Sequence, residues 1–381
     1  MKTTVLILVT LCCVWVAGCG QRSRVADVHE GNDSTDFCAP WYAKGFTVRT
    51  TDDGVRLVDV ADPQTDEDRM PVSYRFALVP RGCTAEVPEG YTRVEVPIRR
   101  CIVMTMLQMS NFTALDAHEV VRGITGVKNL FDKDIRERVK RGDIVKIGME
   151  GNFDTELILA ANPEVIFISP FKRGGYDVVK ETGITLVPHL GYKELDPLGQ
   201  AEWVKYVAMF LGKEQVADSL FRGIETRYLA LKEKAAGVTE RPTVFSGEMH
   251  GGNWFAVGGR TYLAQIFRDA GADYVMDDDN TGGVNIDYEQ MYATAAEADF
   301  WRILNSFEGD FTYDALLSSE PRNALFRAFK ERHVIYCNMK QTPYYEISPV
   351  KPDAVLADFV AIFHPELMPA DYEPTFYHLL K

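Results

Sequence analysis

The chain has 381 residues, 46% hydrophobic and 25% charged, which is a globular composition and enough length for two or three domains. Its formal net charge of -14 excludes nucleic acid as the expected partner, because phosphate binding needs clustered Lys and Arg.

At the N-terminus, Lys2 precedes an apolar run, Val5–Val16, that ends in Val16-Ala17-Gly18-Cys19. The run is short for a membrane span and matches the apolar part of a secretory signal. Its ending resembles a bacterial lipobox, so residues 1–18 are expected to be cut away and Cys19 to become the lipidated first residue. The polar stretch 19–36 then reads as a tether. Of the remaining cysteines, none has C-x-x-C spacing. Cys101 and Cys337 lie in strand-like runs and are expected to be buried. Whether Cys38 and Cys83 pair is left open by the sequence.

Residues 37–97 form a β-rich extension. GFTVRTT, Gly54–Val60, Val72–Val79 and Tyr91–Val96 have strand composition, and Asp53-Gly54 is a hairpin turn signal. The expectation is an appended antiparallel sheet with no chemistry of its own. Over 98–212, strands alternate with helices. The strands are 101–106, 143–148, 165–169 and 184–190; the helices are 113–122, 156–161, 178–182 and 200–211. That is the pattern of a doubly wound α/β lobe.

Residues 213–237 then form one long helix. Val216, Leu220, Phe221, Ile224, Tyr228 and Leu231 recur at helical spacing, and Gly237 suits the C-terminal stop. At about 1.5 Å per residue the helix spans roughly 36 Å, the width of a small domain. Beyond it, 238–381 repeats the α/β pattern. Strands are expected at 243–247, 274–276, 298–304 and 334–338, with helices at 262–270, 286–296, 323–330 and 353–363.

An internal repeat relates the two halves. Asn152-Phe153-Asp154-Thr155-Glu156 is echoed by Asn285-Ile286-Asp287-Tyr288-Glu289, and Ala160 and Glu164 match Ala293 and Glu297 in the same register. The fold class is therefore α/β: two doubly wound α/β lobes joined by one long rigid helix, with an N-terminal β-rich extension. A cleft between such lobes is the default ligand site.

Three stretches together, NFDTELILAANPEVIFIS, VNIDYEQMYATAAEADFW and PDAVLADFVAIFHPEL, resemble the substrate-binding proteins of bacterial ABC importers for ferric siderophores, haem and vitamin B12. The resemblance covers roughly 97–367. It implies two lobes bridged by a rigid helix and a lipid-anchored periplasmic protein. Such a protein captures a ferric siderophore or similar iron chelate and delivers it to the permease dimer with its ATPase. Cobalamin or another corrinoid, or haem, is the alternative ligand. A chelatase-like enzyme is less favoured, since the chain has no G-x-S-x-G elbow and no P-loop. No cofactor is expected.

Ligands meet doubly wound lobes at the carboxyl ends of strands. The loops read there carry Gln108, Met109, Ser110, Glu150, Phe171, Tyr192, Trp254, Tyr344 and Tyr345, which suit the walls around a large flat ligand. Lys172, Arg173 and Arg260 suit an anionic chelate. His250 follows a strand end. His118, His189 and His250 come from separate loops and Asp277-Asp278-Asp279 lacks EF-hand spacing, so no metal centre is expected. Asp154 and Asp287 are suitable N-caps, which places Glu156 and Glu289 in first helical turns. The resemblance implies that one such Glu per lobe docks on arginines of the permease.

Overall fold

The computed structural model describes residues 38–65, 73–126, 130–149, 151–170 and 176–381. Cys19 and the expected signal and tether lie outside the described residues.

The extension contains β1 (Phe46–Thr50), β2 (Arg56–Val60), β3 (Tyr74–Pro80) and β4 (Thr92–Val96). The first three are antiparallel, as expected, but β4 runs parallel to β3. The connection 81–91 is long enough to carry the chain back before it pairs, which a tight hairpin cannot do. Nor is the sheet merely appended. Phe46, Phe76, Val94 and Val96 belong to the same core as the first lobe. Phe46 meets Trp203 edge-on at 5.1 Å between ring centroids, and Phe76 meets Phe210 at 6.3 Å.

The first lobe opens with β5 (Cys101–Val103) and α1 (Met106–Ala114). The helix expected at 113–122 thus starts earlier. Thr105 and Gln108 close a capping box directly after the strand, and Asp116, at φ 48, turns the chain away. Next come β6 (Val121–Ile124), α2 (Lys133–Arg141) and β7 (Val145–Lys146). A small hairpin follows, β8 (Gly148–Met149) with β9 (Asn152–Phe153). The lobe continues through α3 (Thr155–Ala160), β10 (Val165–Ile168), α4 (Asp177–Lys180), β11 (Thr185–Pro188) and α5 (Pro197–Leu211). Among the described residues the sheet order is β11-β10-β5-β6-β7, with parallel pairs throughout. Strands buried on both faces read as continuous apolar runs, which is why VIFI was legible.

Helix α6 (Glu214–Ala236) buries Ala217, Asp218, Phe221, Ile224, Tyr228 and Ala235. Val216, expected in the apolar stripe, is exposed, and Gly237 ends the helix in a right-handed rather than a left-handed conformation. Buried Lys205 of α5 meets Asp218 at 3.4 Å. Toward the other end, the Tyr228 hydroxyl donates to Asp269 at 2.7 Å and Arg227 meets Asp353 at 2.6 Å. The helix is thus fastened along both halves of its length.

The second lobe begins with β12 (Thr243–Ser246), β13 (Glu248–His250), β14 (Asn253–Val257) and α7 (Tyr262–Asp269). It continues with β15 (Asp273–Tyr274), β16 (Gly283–Ile286), α8 (Tyr288–Ala295) and β17 (Phe300–Asn305). The remaining elements are α9 (Tyr313–Ser319), α10 (Arg327–Lys330), β18 (Val334–Asn338), α11 (Tyr344–Ile347), α12 (Pro352–Phe363) and β19 (His378–Leu379). The main sheet runs β15-β12-β17-β18-β19, parallel except for β19. A second, antiparallel sheet, β13-β14-β16, occupies residues read from the sequence largely as loops. Its strands carry Gly and Asn among their apolar residues, which masks the alternation.

The repeat is visible locally. Asp154 caps α3 by accepting from Leu157 N at 3.0 Å, and Asp287 caps α8 by accepting from Gln290 N at 2.7 Å. Cys101 and Cys337 are buried as expected, which pushes the Cys337 thiol up to about 12. Cys83 carries a free thiol, so it is not joined to Cys38.

Candidate functional site

A cavity of about 630 Å³ lies between the two lobes. Tyr192 and Leu107 face it from the first lobe; Phe255, Arg302, Tyr344 and Tyr345 face it from the second. Tyr192 stands on the short turn after β11, where its hydroxyl donates to the Pro170 carbonyl at 2.9 Å. The turn needs Gly191, because a Cβ there would lie 2.8 Å from His189 and 3.1 Å from Trp203. Phe255 is on β14, where alternate residues face opposite ways. Its side chain stands toward the cleft, half exposed, while Trp254 points down into the lobe core.

Arg302 forms the charged part of the floor. It comes from β17, in the middle of the sheet, and is buried. Its Nε donates to the Tyr377 hydroxyl at 3.1 Å, Nη2 donates to the same oxygen, and the guanidinium lies 5.2 Å from that ring's centroid. No carboxylate among the described residues forms an ion pair with it. Burial opposes its charge, but Tyr377 and Tyr344 outweigh that and hold its pKa above the ordinary arginine value. Glu248 also lines the cleft. Burial pushes its carboxyl up, against a hydrogen bond from Asn305 at 3.2 Å. A buried cation without an ion pair is unusual; here the Arg302 charge also acts on cleft-lining Glu248, opposing the upward push of burial on that carboxyl.

The extension supplies a third wall. Gln64 lines the cleft; its Nε2 donates to the Lys193 carbonyl at 3.0 Å and its Oε1 accepts from Thr281 at 3.0 Å. The segment expected to carry no chemistry of its own thus contributes Gln64 to the cleft wall. Beside the cleft lies a more polar cavity of about 540 Å³ with Lys44, Arg260 and Arg268 in its walls.

The sequence model for periplasmic binding proteins matches residues 105–340. The chain belongs to the periplasmic binding protein family. An uncharacterized lipoprotein of Methanocaldococcus jannaschii is 30% identical to this binding protein over 300 residues, 76% of this chain and 70% of that one. Among solved structures, a periplasmic heme-binding protein from Pseudomonas aeruginosa superposes with a TM-score of 0.59 at 18% identity, covering 74% of this chain and 98% of the other. An ABC-type Fe3+-hydroxamate transport protein from Saccharomonospora viridis gives 0.53 at 15% identity, covering 70% and 94%. These likenesses show the two-lobed fold.

Against that fold, the residues singled out from sequence divide. Tyr192, His250, Tyr344 and Tyr345 line the cleft of the binding protein, and Arg260 lines the polar cavity beside it. Gln108, Met109 and Ser110 do not; they are buried in α1. The expected loop is the first turn of the helix. Gln108 folds inward to accept from Met104 N at 2.8 Å and to donate to Ser169 at 2.9 Å. Trp254 is buried among Phe245, Trp301 and Phe326, with its Nε1 donating to the Ser246 carbonyl at 3.0 Å. Glu150, Phe171, Lys172 and Arg173 lie outside the described residues.

His189 is buried beside Trp203, with ring centroids 4.8 Å apart, and burial lowers its pKa to about 3. His118 lies 3.5 Å from Asp134 and lines a separate cavity with Asp116, Glu119 and Arg122. Among the described residues no group of three His, Cys, Asp or Glu side chains is placed to hold a metal. Asp278 is a turn cap, accepting from Gly259 N at 3.0 Å and Asn280 N at 2.8 Å.

Glu156 and Glu289 are both exposed in first turns. They differ in company. Glu289 meets Arg322 at 3.1 Å, and Arg322 also grips Glu320 at 2.8 Å while lying 4.0 Å over the Tyr288 ring. Glu156 has no ion pair among the described residues. The sequence reading missed Arg302, Glu248, Phe255 and Gln64. For Arg302 a signal existed: it is the lone cation in the largely apolar strand FWRILN.

Proposed function

We propose that this binding protein captures an anionic iron chelate in the inter-lobe cleft and hands it, unaltered, to an ABC permease. A ferric siderophore is the first choice of ligand; haem or a corrinoid is the alternative. The observation that carries the reading is Arg302, a buried guanidinium that lines the cleft and forms no ion pair with a carboxylate among the described residues. The tyrosine and phenylalanine walls suit a flat, partly apolar body, and the cavity is within the range of ligand pockets. The heme and Fe3+-hydroxamate proteins that share the fold support this ligand class. In this reading Cys19 carries the lipid that holds the protein outside the cytoplasmic membrane, 19–36 is its tether, and Glu156 and Glu289 meet the permease. Capture needs no catalytic group, and none is assigned.

The test is competitive retention. The protein is incubated with ferric hydroxamate, ferric catecholate, ferric citrate, haemin and cobalamin, desalted, and examined by native mass spectrometry. One iron chelate should be retained with its mass unchanged. Arg302→Gln should weaken it about 10- to 100-fold, which is roughly 1.4–2.8 kcal/mol, the loss of a charge-assisted hydrogen bond. Retention of cobalamin alone would favour the corrinoid. Retention of nothing, or equal affinity in the variant, would defeat the reading.

A further inference from the structure

The two lobes are also joined by a side chain that reaches from one into the backbone of the other. Glu346, on α11, is buried, and its two carboxylate oxygens accept from the backbone N–H groups of Phe131 at 2.6 Å and Asp132 at 3.0 Å. Those amides stand at the start of α2, whose N-cap is Asp132. A helix start offers unpaired N–H groups and the positive end of the helix dipole. Here the other lobe fills it with a carboxylate. The acceptor is charged, and its donors are backbone groups that cannot rotate away, so the contact holds only while the two lobe frames keep their spacing.

The position of Glu346 in sequence gives this contact a functional bearing. Tyr345, immediately before it, is half exposed and lines the cleft. Tyr344 packs edge-on to Tyr377 at 5.7 Å, and Tyr377 holds Arg302. One turn of helix therefore carries a wall of the site, a support for its cation and a tie to the opposite lobe. We propose that Glu346 is a positioning residue for capture: a latch that fixes the width of the cleft and the pose of Tyr345 by holding α11 to the start of α2. The latch rests on the capture reading only for its consequence for the ligand.

Hydrogen exchange of the ligand-free full chain tests it. In Glu346→Ala the Phe131 and Asp132 amides should exchange at least about tenfold faster, as local opening becomes easier. Cleft segments 191–194 and 281–283 should also lose protection, and the radius of gyration should rise. Strands β10 and β18 should be unchanged, which reports an intact fold. Glu346→Gln keeps one acceptor oxygen and should be intermediate; it also serves if the alanine variant fails to fold. Unchanged protection at Phe131 and Asp132 overturns the latch, and so does a loss confined to those two amides. Repeating the series with haemin as the probe separates the two readings. Wild type that fails to retain haemin while the ligand-free differences persist counts against haem as the ligand and leaves the latch standing.

Discussion

The two lobes share a plan but not a chemistry. Each has a sheet that is parallel apart from β19, an Asp-capped helix and an exposed Glu in that helix's first turn. Toward the cleft the first lobe turns a sealed helix end, with Gln108, Met109 and Ser110 packed inward, Tyr192 on a tight turn, and Glu194, whose carboxylate accepts from Gly45 N and Trp203 Nε1. The second lobe turns Arg302, Glu248, Phe255 and two tyrosines. The difference teaches that the repeat keeps the frame in both lobes, while the buried guanidinium facing the cleft, Arg302, comes from one. The two first-turn acids differ as well: Glu289 is engaged by Arg322, while Glu156 has no ion pair among the described residues.

Neighbouring residues of β14 offer the sharpest way to break that comparison. Trp254→Ala should cost about 3–5 kcal/mol of stability, the range for emptying a buried aromatic site. Phe255→Ala should cost under about 1 kcal/mol of stability yet weaken the ligand by about 1–3 kcal/mol. Urea unfolding paired with titration of the retained chelate reads both. An exchanged pattern, with Phe255→Ala unfolding early and Trp254→Ala losing ligand, would mean that the strand faces the other way.

The first lobe's buried His189 should reveal itself through acid. Its folded pKa, about 3, is below the unfolded value of about 6.5 because burial disfavours the cation. A depressed folded pKa gives stability that is complete above the unfolded pKa and is lost as pH falls through this window. The slope attributable to His189 approaches 1.4 kcal/mol per pH unit. His189→Gln should flatten the acid side of the melting-temperature profile between pH 6.5 and 4. A profile identical to wild type would show that other groups set the acid limit.

The smallest effect on stability should come from the rim. Glu156→Gln and Glu289→Gln should each change unfolding by no more than about 0.5 kcal/mol, since exposed acids contribute little. Transport should fall in both, and further in Glu156→Gln, because Arg322 already offsets part of the Glu289 charge. Uptake of the retained chelate by cells carrying each variant is the measurement. Equal transport in wild type and the double variant would remove these residues from docking.

What the sequence made legible follows the same physics. Buried strands such as VIFI and VIYCN stood out as apolar runs, and Asp154 and Asp287 as caps. Helix α2 did not, because KDIRERVKR buries only Ile135 and Arg138. Trp254 was chosen over Phe255 because an aromatic near a strand end was read as a loop residue. Once β14 is a strand, period-two alternation assigns the two side chains to opposite faces. Arg302 lies inside a strand, where the rule that ligands meet loops at strand ends does not reach, although a cation in a largely apolar strand has to be explained by what it faces.

The joint core of the extension and the first lobe bears on how this protein can be shortened. The family match begins at residue 105, yet Phe46 and Phe76 pack on Trp203, Tyr206 and Phe210 of α5. A chain trimmed to the family region would leave that aromatic face in water, an exposed patch of the kind that drives proteins to self-associate. The solubility boundary of the molecule therefore lies upstream of its family boundary, before Phe46.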